Sequence, residues 1–272
     1  MNIVSIKQGD CLELIKEIQD GSIDCILCDL PYGKETGKTR ASWDKGLNYD
    51  ELFAEYRRIL SPKGTVILFG NEPFSSRVRC ALMDIYKYDI KWIKSKTTGF
   101  ANANYRPMNK YEDIMVFSNC NASSGGKNNA MIYNPQGLIV CDKKRKNSAN
   151  RQGIVAKDTN NLGKENSLLQ EGSEYTQKYT NYPTNVIYFD NESHYVHPTQ
   201  KPLTLIEYLV LTYTDENQLV LDTCMGSGTT GVACINNNRQ FIGFELDADY
   251  FSTAEDRIQK ARVQLINAKS NK

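Results

Sequence analysis

One segment of the chain, residues 218–247, restricts the possible folds more than any other. It begins with an apolar run typical of a buried strand, continues into a glycine-rich loop and a predicted helix, and returns to a second apolar strand. That second strand ends on Glu245, which lies 19 residues after Gly226. Strand, glycine loop, helix and strand in this order predict a parallel sheet with helices on both faces.

The glycine loop predicts a cofactor that contains a nucleoside, but it does not identify which one. Gly226 and Gly228 allow the backbone to approach a ligand closely, and an acid at position 245 is placed to hold ribose hydroxyls. The spacing of Gly226, Gly228 and Gly231 matches the dinucleotide pattern, so NAD stays open. S-adenosylmethionine fits equally well, because it has no phosphate and Asp222 suits its ammonium group. A nucleotide P-loop is disfavoured, since no Lys-Ser or Lys-Thr follows the glycines.

A second motif, Asp29-Leu30-Pro31-Tyr32, follows the apolar run 22–28, which predicts another buried strand. Ligands of open α/β sheets bind at the carboxyl ends of strands, where this motif falls. The Asp29 carboxylate can accept a hydrogen bond from an amino group, and Tyr32 offers a flat face to a planar ring. An Asp followed by a Pro at the end of a strand is also compatible with a simple turn.

Together the two motifs resemble those of the amino-methyltransferases of DNA, which methylate exocyclic nitrogens of adenine or cytosine. Because the Asp29 motif precedes the glycine loop, the order is similar to that of the β-class, a circularly permuted branch of the family. Residues 9–11, 109–117 and 197–203 also resemble family motifs. The resemblance covers residues 1–118 and about 183–262, and it favours S-adenosylmethionine over NAD.

The resemblance implies a Rossmann-like, mostly parallel sheet and a direct transfer of methyl to a base that has left the duplex. Its catalytic motif is Asp29, Leu30, Pro31 and Tyr32. In this hypothesis the Asp29 carboxylate and the Leu30 carbonyl accept the two amino N–H bonds, while Tyr32 stacks on the base.

The resemblance also implies which residues border the cofactor. Glu245 is expected to hold the ribose, Asp10 to meet the adenine amino group, and Thr199 or Lys201 to reach the methionine carboxylate. The full predicted set is Asp10, Cys11, Thr199, Lys201, Asp222, Cys224, Gly226, Ser227, Gly228, Thr229, Glu245 and Leu246.

Two positions depart from the family pattern. Thr223 and Cys224 stand where Pro-Phe is common after the cofactor-strand acid, which predicts weaker packing around the methionine moiety. Leu30 stands where Pro is common, and only its backbone carbonyl is expected to act. The leading Asp29 resembles adenine-N6 enzymes more than cytosine-N4 enzymes, and cytosine N4 stays open as the alternative.

The sequence does not suggest membrane insertion or secretion. There is no apolar run near 18 residues, and residues 1–5 lack the features of a signal peptide. A cytoplasmic protein of a bacterial or phage-infected cell is therefore expected, with its 8 cysteines reduced.

A zinc site is an alternative interpretation of the cysteines and histidines. The pairs Cys25/Cys28 and His194/His197 imitate zinc-ligand spacing. Cys25 and Cys28, however, fall three apart in a predicted strand and should face opposite sides, so we predict no metal.

Charge is distributed unevenly along the chain. Residues 91–182 hold 14 Lys and Arg against 7 Asp and Glu, whereas the remainder has a net charge of −6. Residues 119–185 are rich in Asn, Ser, Gly and Lys and are expected to be loop-like. We interpret them as a DNA-recognition insert, with residues 1–118 and 186–272 as the methyltransferase domain. The basic cluster Lys143, Lys144, Arg145 and Lys146 is predicted to contact phosphates.

Other functional classes stay open at this point. An NAD-linked oxidoreductase would use the glycine unit but leaves the Asp29 motif without a task. A catalytically silent DNA-binding subunit is a second alternative, but it would not need an intact Asp29 and Tyr32. An enzyme that methylates RNA or a small aromatic amine is a third, and it would need both residues. The expected partners are double-stranded DNA, a second copy of the chain, and a restriction endonuclease acting on the same site.

Overall fold

The computed structural model describes residues 3–32, 47–123, 129–146, 174–191 and 200–270. It contains two compact units. The first consists of Met1–Asn134 with Thr184–Lys272, and the second of Pro135–Pro183.

The first unit is built on an eight-stranded sheet. In spatial order its strands are β1 (Val4–Gln8), β10 (Gln240–Glu245), β9 (Leu219–Asp222), β2 (Ile23–Cys28), β3 (Leu60–Gly70), β5 (Asn109–Ser118), β4 (Tyr86–Thr98) and β8 (Val186–Phe189). Only β5 runs antiparallel to its neighbours, β3 and β4. The predicted α/β class with a mostly parallel sheet is confirmed.

In the part of the chain that the structure describes, six α-helices connect the strands. They are α1 (Cys11–Leu14), α2 (Tyr49–Ile59), α3 (Phe74–Ala81), α4 (Leu203–Tyr213), α5 (Thr229–Asn236) and α6 (Ala248–Ser270). A 3-10 turn, Ile15–Glu17, extends α1, and another, Phe100–Asn102, follows β4. None of the described helices combines the length and the apolar character needed to cross a membrane.

The helices cover both faces of the sheet, and each face has its own core. One core contains Trp92, Leu205 and Phe241, and the other contains Phe53 and Leu68. Alternation along β2 sends successive side chains to opposite faces.

Cys25 and Cys28 illustrate that alternation. Cys25 packs in the first core and Cys28 in the second, as the strand pattern predicts. The two thiols therefore cannot ligate one ion. His194 and His197, the other half of the zinc reading, lie outside the described residues.

The sequence pattern predicts strands over residues 23–28 and 219–222 and a helix over 229–236, and β2, β9 and α5 have these bounds. It predicts a strand over residues 65–70, whereas β3 begins at Leu60 and runs through Pro62, because Ile23 of β2 pairs with Leu60 before the register shifts. It predicts a helix over residues 248–265, whereas α6 continues to Ser270; residues 266–268 are exposed, and a turn that does not pack on a core leaves no periodic pattern in the sequence.

The second unit differs from the loop-like insert that we expected. Its described residues form an antiparallel ribbon of β6 (Ile139–Lys146) and β7 (Glu174–Thr180). The basic cluster is thus part of a strand, and the expectation of a loop there is wrong. The described residues between β5 and Asn134 belong to the first unit, where Met131 joins a core.

Candidate active site

The motifs singled out in the sequence converge at one edge of the sheet. Strands β2, β9 and β10 are neighbours, and Asp29, Asp222 and Glu245 lie at their carboxyl ends. All three residues line one cavity of about 1680 Å³. The topology therefore joins two motifs that are almost 200 residues apart in the chain.

Asp29 is held by two donors. Lys201 Nζ donates to Asp29 Oδ2 at 2.5 Å, and Tyr32 Oη donates to Asp29 Oδ1 at 3.2 Å. Lys201 was predicted to reach the methionine carboxylate of the cofactor. In the structure its ammonium lies instead against the catalytic motif.

Glu112 completes this group, and the sequence analysis did not single it out. It lies in β5, its side chain is 3 % exposed, and it accepts from Lys201 Nζ at 3.0 Å and from Tyr32 Oη at 3.0 Å. Lys94 in β4 pairs with its other oxygen at 2.5 Å. The only sequence signal was an acid inside an otherwise apolar strand, in the segment 109–117 that resembles a family motif.

The charges of Asp29, Glu112, Lys201 and Lys94 balance, and the pKa values of the first three depend on their neighbours. Burial raises the pKa of Asp29; Lys201 opposes this shift and Glu112 adds to it. Burial would also raise the pKa of Glu112, but Lys201 and Lys94 outweigh it and lower that pKa to about 2. Burial opposes the charge of Lys201, yet Asp29 and Glu112 hold its pKa above the ordinary value. Lys201 therefore supports the ionised form of both acids.

Tyr32 is fixed by packing as well as by hydrogen bonds. Its ring stacks on Phe74 with the centroids 4.7 Å apart. The Tyr49 hydroxyl donates to the Pro31 carbonyl, which fixes the turn that carries Tyr32. The Leu30 side chain is buried in a core, so only its backbone is available to a ligand.

The glycine loop forms the other half of the cavity. Gly226 and Gly228 have φ values of 52° and 75°, a region that side chains other than glycine rarely adopt. Glu245 orients the loop, because its Oε2 accepts from the Gly226 amide at 2.8 Å and its Oε1 from the Asp247 amide at 2.9 Å. Burial raises the pKa of Glu245.

Asp222 is a buried acid at the start of the same loop. Its carboxylate accepts from the Thr230 hydroxyl at 2.6 Å and from the Cys224 amide at 3.1 Å. Burial raises the pKa of Asp222 to about 6. A cation arriving in the cavity would favour the ionised form of this group.

Helix α6 braces the glycine loop, which the sequence analysis did not foresee. Arg257 donates to the Ser227 carbonyl at 2.5 Å, to the Ser227 hydroxyl at 2.7 Å and to Thr229 at 3.2 Å. A Cβ at Gly228 would lie 2.9 Å from the Cβ of Ala254. The helix thus packs directly against the loop and leaves no room for a side chain at position 228.

The remaining predicted residues fall at the rim of this cavity or elsewhere. Asp10 caps α1 by accepting from the Leu12 amide, and the cavity is also lined by Cys11, Cys224, Ser227, Thr229 and Leu246. Thr199 lies outside the described residues, and the basic cluster lies in the second unit.

Comparison with known proteins identifies the family. The family model described as DNA methylase matches residues 23–256. This match includes the Asp29 motif, Glu112, the glycine loop and Glu245. The chain belongs to this family of DNA methylases, and the resemblance seen in the sequence is confirmed.

Two curated relatives match nearly the whole chain. The type II methyltransferase M.HpaI of Haemophilus parainfluenzae is 27 % identical over an alignment of 258 residues that covers 92 % of this chain and 72 % of the relative. The DNA adenine methyltransferase YhdJ of Escherichia coli (strain K12) is 28 % identical over an alignment of 272 residues that covers 94 % of this chain and 83 % of the relative.

Solved structures share the fold. The complex of M1.HpyAVI with SAM has a TM-score of 0.58 at 24 % identity and covers 94 % of this chain and 100 % of its own. The cytosine-N4-specific PvuII DNA methyltransferase has a TM-score of 0.64 at 16 % identity and covers 98 % and 93 %.

Proposed function

We propose that this DNA methylase transfers the methyl group of S-adenosylmethionine to the exocyclic N6 of adenine in a base extruded from duplex DNA. One observation carries the proposal: Asp29 and the turn that runs from it to Tyr32 line the same cavity as the glycine loop and Glu245. The names of YhdJ and M.HpaI, and the SAM bound to M1.HpyAVI, support the same assignment.

The cavity suits S-adenosylmethionine. Glu245 supplies carboxylate oxygens for ribose hydroxyls, and Asp222 supplies a counter-charge for the ammonium of the methionine part. Gly226 leaves the backbone of the glycine loop open to a ligand, and Asp10, Cys11, Ser227 and Leu246 line the same space. When bound, S-adenosylmethionine supplies a methyl group that its sulfonium charge already activates.

The chain's own residues prepare the acceptor. The amino lone pair of adenine is delocalised into the ring, and this weakens it as a nucleophile. The Asp29 carboxylate and the Leu30 carbonyl accept the two amino N–H bonds, so the nitrogen becomes pyramidal and its lone pair points at the methyl group. Bound S-adenosylmethionine would supply the methyl group, its S–C bond breaking as the new N–C bond forms, and the Asp29 carboxylate would take the proton that the nitrogen loses. Holding both reactants in this geometry supplies much of the rate gain.

Extrusion of the base carries an energetic cost of a few kcal/mol. Stacking on an aromatic side chain contributes roughly 1–3 kcal/mol per base. Tyr32 lies in the cavity with its ring already fixed on Phe74, so stacking requires little further ordering.

We assign DNA contacts to the second unit and take residues 119–185 as the target-recognition insert. Lys143, Lys144, Arg145 and Lys146 follow one another on β6, and all four are exposed. A two-stranded ribbon fits the major groove of B-DNA, and its cations can pair with phosphates. A homodimer, a cognate restriction endonuclease and a cytoplasmic location, where DNA is accessible, belong to the same proposal.

The deciding experiment measures transfer of tritiated methyl from S-adenosylmethionine to unmethylated genomic DNA, followed by digestion to nucleosides and chromatography. We expect label in N6-methyladenine. Label that resists DNase and is released by RNase would overturn the DNA assignment, and a complete lack of transfer from the wild-type chain would overturn the activity.

Cytosine N4 is the second candidate. The cytosine-N4-specific PvuII enzyme has the higher TM-score of the two structures described above, and the Asp29 geometry suits either amino group. The same chromatogram distinguishes the two, because label in N4-methylcytosine would replace adenine with cytosine as the target.

A further inference from the structure

The two donors that hold Asp29 are shared with a second acid. Asp29 accepts Lys201 Nζ and Tyr32 Oη, and Glu112 Oε1 accepts the same two groups, each at 3.0 Å. Each donor therefore lies between two carboxylates. An incoming amino group must share the Asp29 oxygens with these donors or displace one of them, since each oxygen already accepts one hydrogen bond.

Glu112 is built to stay in place while this happens. Lys94 pairs with its other oxygen at 2.5 Å, and the Lys94 ammonium lies 5.0 Å from the centroid of the Trp92 ring. The Glu112 carboxylate is almost fully buried. A buried charge with a fixed partner on one side is a stable acceptor for a second cation on the other.

We propose, resting on the proposed function, that Glu112 and Lys201 are positioning residues that prepare Asp29 for the target amino group. Lys201 keeps Asp29 ionised while the cavity holds no base. When the base enters, the Lys201 ammonium and the Tyr32 hydroxyl stay bonded to Glu112 and release the Asp29 oxygens. No buried donor loses its partner during this exchange, so the exchange avoids the desolvation cost of an unpaired charge.

The electrostatics of Asp29 agree with this role. The groups that face it are Lys201, Tyr32, Glu112, Lys94 and Asp222. Burial and Glu112 raise its pKa, and Lys201 is the largest influence in the opposite direction. Without Lys201 the acid would hold its proton to higher pH and would then offer the amino N–H only a neutral oxygen, which is a weaker acceptor than a carboxylate.

The first test does not depend on turnover. The pKa of Asp29 is measured by ¹³C NMR of aspartate-labelled, cofactor-free protein, with Asp29→Asn used to assign the signal. We expect Lys201→Met to raise this pKa and Lys201→Arg to restore it. An unchanged pKa in a Lys201→Met protein with a native spectrum overturns the proposal, whatever reaction the enzyme performs.

The second test separates the exchange from simple stabilisation. In Glu112→Gln, Asp29 is the only full negative partner of Lys201 among the described residues. The incoming amino group must then compete with Lys201 for Asp29. We expect the KM for DNA to rise by about 10- to 100-fold, the range that corresponds to one charged hydrogen bond. The acid limb of kcat should move to lower pH, because a like charge near Asp29 has been removed.

Asp113→Asn is a matched control. Asp113 is the next residue in β5, is as buried as Glu112, and also pairs with a lysine and an arginine, Lys91 and Arg79. It faces the other side of the sheet. We expect Asp113→Asn to lower stability without moving KM or the pH profile. If Glu112→Gln and Asp113→Asn behave alike, Glu112 is merely structural and the proposal fails, while wild-type methylation keeps the proposed function intact.

A different observation concerns the loop after β4. Phe100 and Tyr105 are 80 % and 89 % exposed, and the turn between them is fixed by hydrogen bonds from Asn102 to Gly99 and from Arg106 to Asn102, each 3.0 Å long. Gly99, Asn102 and Arg106 line the same cavity as Asp29. The aromatic rings of Phe100 and Tyr105 are thus exposed to solvent beside the cavity.

The chemistry of this rim fits a polyanion with planar bases. Lys96 and Arg106 line the cavity there, and both are exposed. Cations attract phosphates, and aromatic rings stack on bases. We infer, again on the proposed function, that Phe100 and Tyr105 enter the base stack of duplex DNA beside the extruded adenine and support the strand that it has left.

The test compares two DNA substrates. Phe100→Ala with Tyr105→Ala should weaken binding to ordinary duplex DNA by about tenfold or more, as measured by fluorescence anisotropy without cofactor. The loss should be much smaller when the target adenine is opposite an abasic site, because the stack there is already open. Met83→Ala is the control, since Met83 is exposed but precedes the amino end of β4. Equal losses on both substrates, or no loss, overturn the inference.

Discussion

The sheet-edge site and the β6–β7 ribbon use charge in opposite ways. At the site, the Glu112 and Lys201 side chains are 3 % and 11 % exposed and paired at fixed distances. On the ribbon, Lys146 and Glu174 pair at 3.2 Å, but their side chains are 74 % and 56 % exposed. Buried pairs fix geometry, whereas exposed charges are screened, mobile and available to phosphates. We therefore expect the first region to govern turnover and the placement of the target base, and the second to supply phosphate contacts that add to DNA affinity.

The largest expected effect is on turnover. Asp29→Ala should lower kcat for methyl transfer by about 10²- to 10⁴-fold, because the target amino group loses its charged acceptor. Affinity for S-adenosylmethionine, measured by calorimetry, should change little, since Asp29 is not among the groups assigned to the cofactor. A variant with near-normal turnover would contradict the assigned role of Asp29. The sheet-edge site would then not differ from the ribbon in its effect on turnover.

A smaller effect is expected at the cofactor end of the site. Glu245→Ala should weaken S-adenosylmethionine binding by about 10- to 100-fold, the value of a charged hydrogen bond. Glu245→Gln is the matched variant, because it can still accept from the Gly226 amide while losing the charge. Calorimetry that shows wild-type affinity for both variants would remove the ribose role.

The pH dependence of cofactor binding is a second test of the cofactor end of the site. The pKa of Asp222 is raised to about 6, so the carboxylate is ionised above that pH and protonated below it. Its ionised form pairs with the cofactor ammonium, so affinity should be greatest near pH 7, fall by up to about tenfold per pH unit below 6, and fall again as the α-ammonium loses its proton above about pH 8. Binding near pH 6 should release protons into the buffer. Asp222→Asn should flatten most of this dependence, and a flat wild-type profile would contradict the pairing.

The smallest effects per residue are expected on the ribbon. Lys144→Gln should weaken DNA binding a few-fold and reduce the slope of log K against log salt by about 0.9, the value for one phosphate contact. Turnover at saturating DNA should not change. Lys63→Gln is the control, because Lys63 is exposed near the amino-end side of β3. If neutralising Lys143, Lys144, Arg145 and Lys146 together leaves the slope unaltered, the ribbon does not contact DNA.

The same contrast explains what the sequence could predict. The strand before Asp29 and the β9 loop were predictable, because a buried strand is an unbroken apolar run and its ligand residues follow at once. The arrangement of Lys201 and Glu112 was not, since it depends on tertiary neighbours 172 and 80 residues from Asp29 and Tyr32 respectively. The role of Arg257 could not be predicted either, because the sequence of α6 indicates only a helix that carries charges of both signs.

The ribbon was missed for a different reason. Along β6 most side chains are exposed, so the alternation of apolar and polar residues that marks a strand on a core is lacking. Backbone hydrogen bonds to β7 hold the strand, and these leave little trace in side-chain pattern.

The brace that α6 provides has a consequence for synthesis of the protein. Arg257 and Ala254 fix a glycine loop that is translated some thirty residues before them. On the ribosome, the Asp29 turn emerges well before its partner loop, and that loop is not secured until α6 has left the exit tunnel. A nascent chain should therefore capture cofactor only after α6 has emerged, well after the strand that carries Asp29.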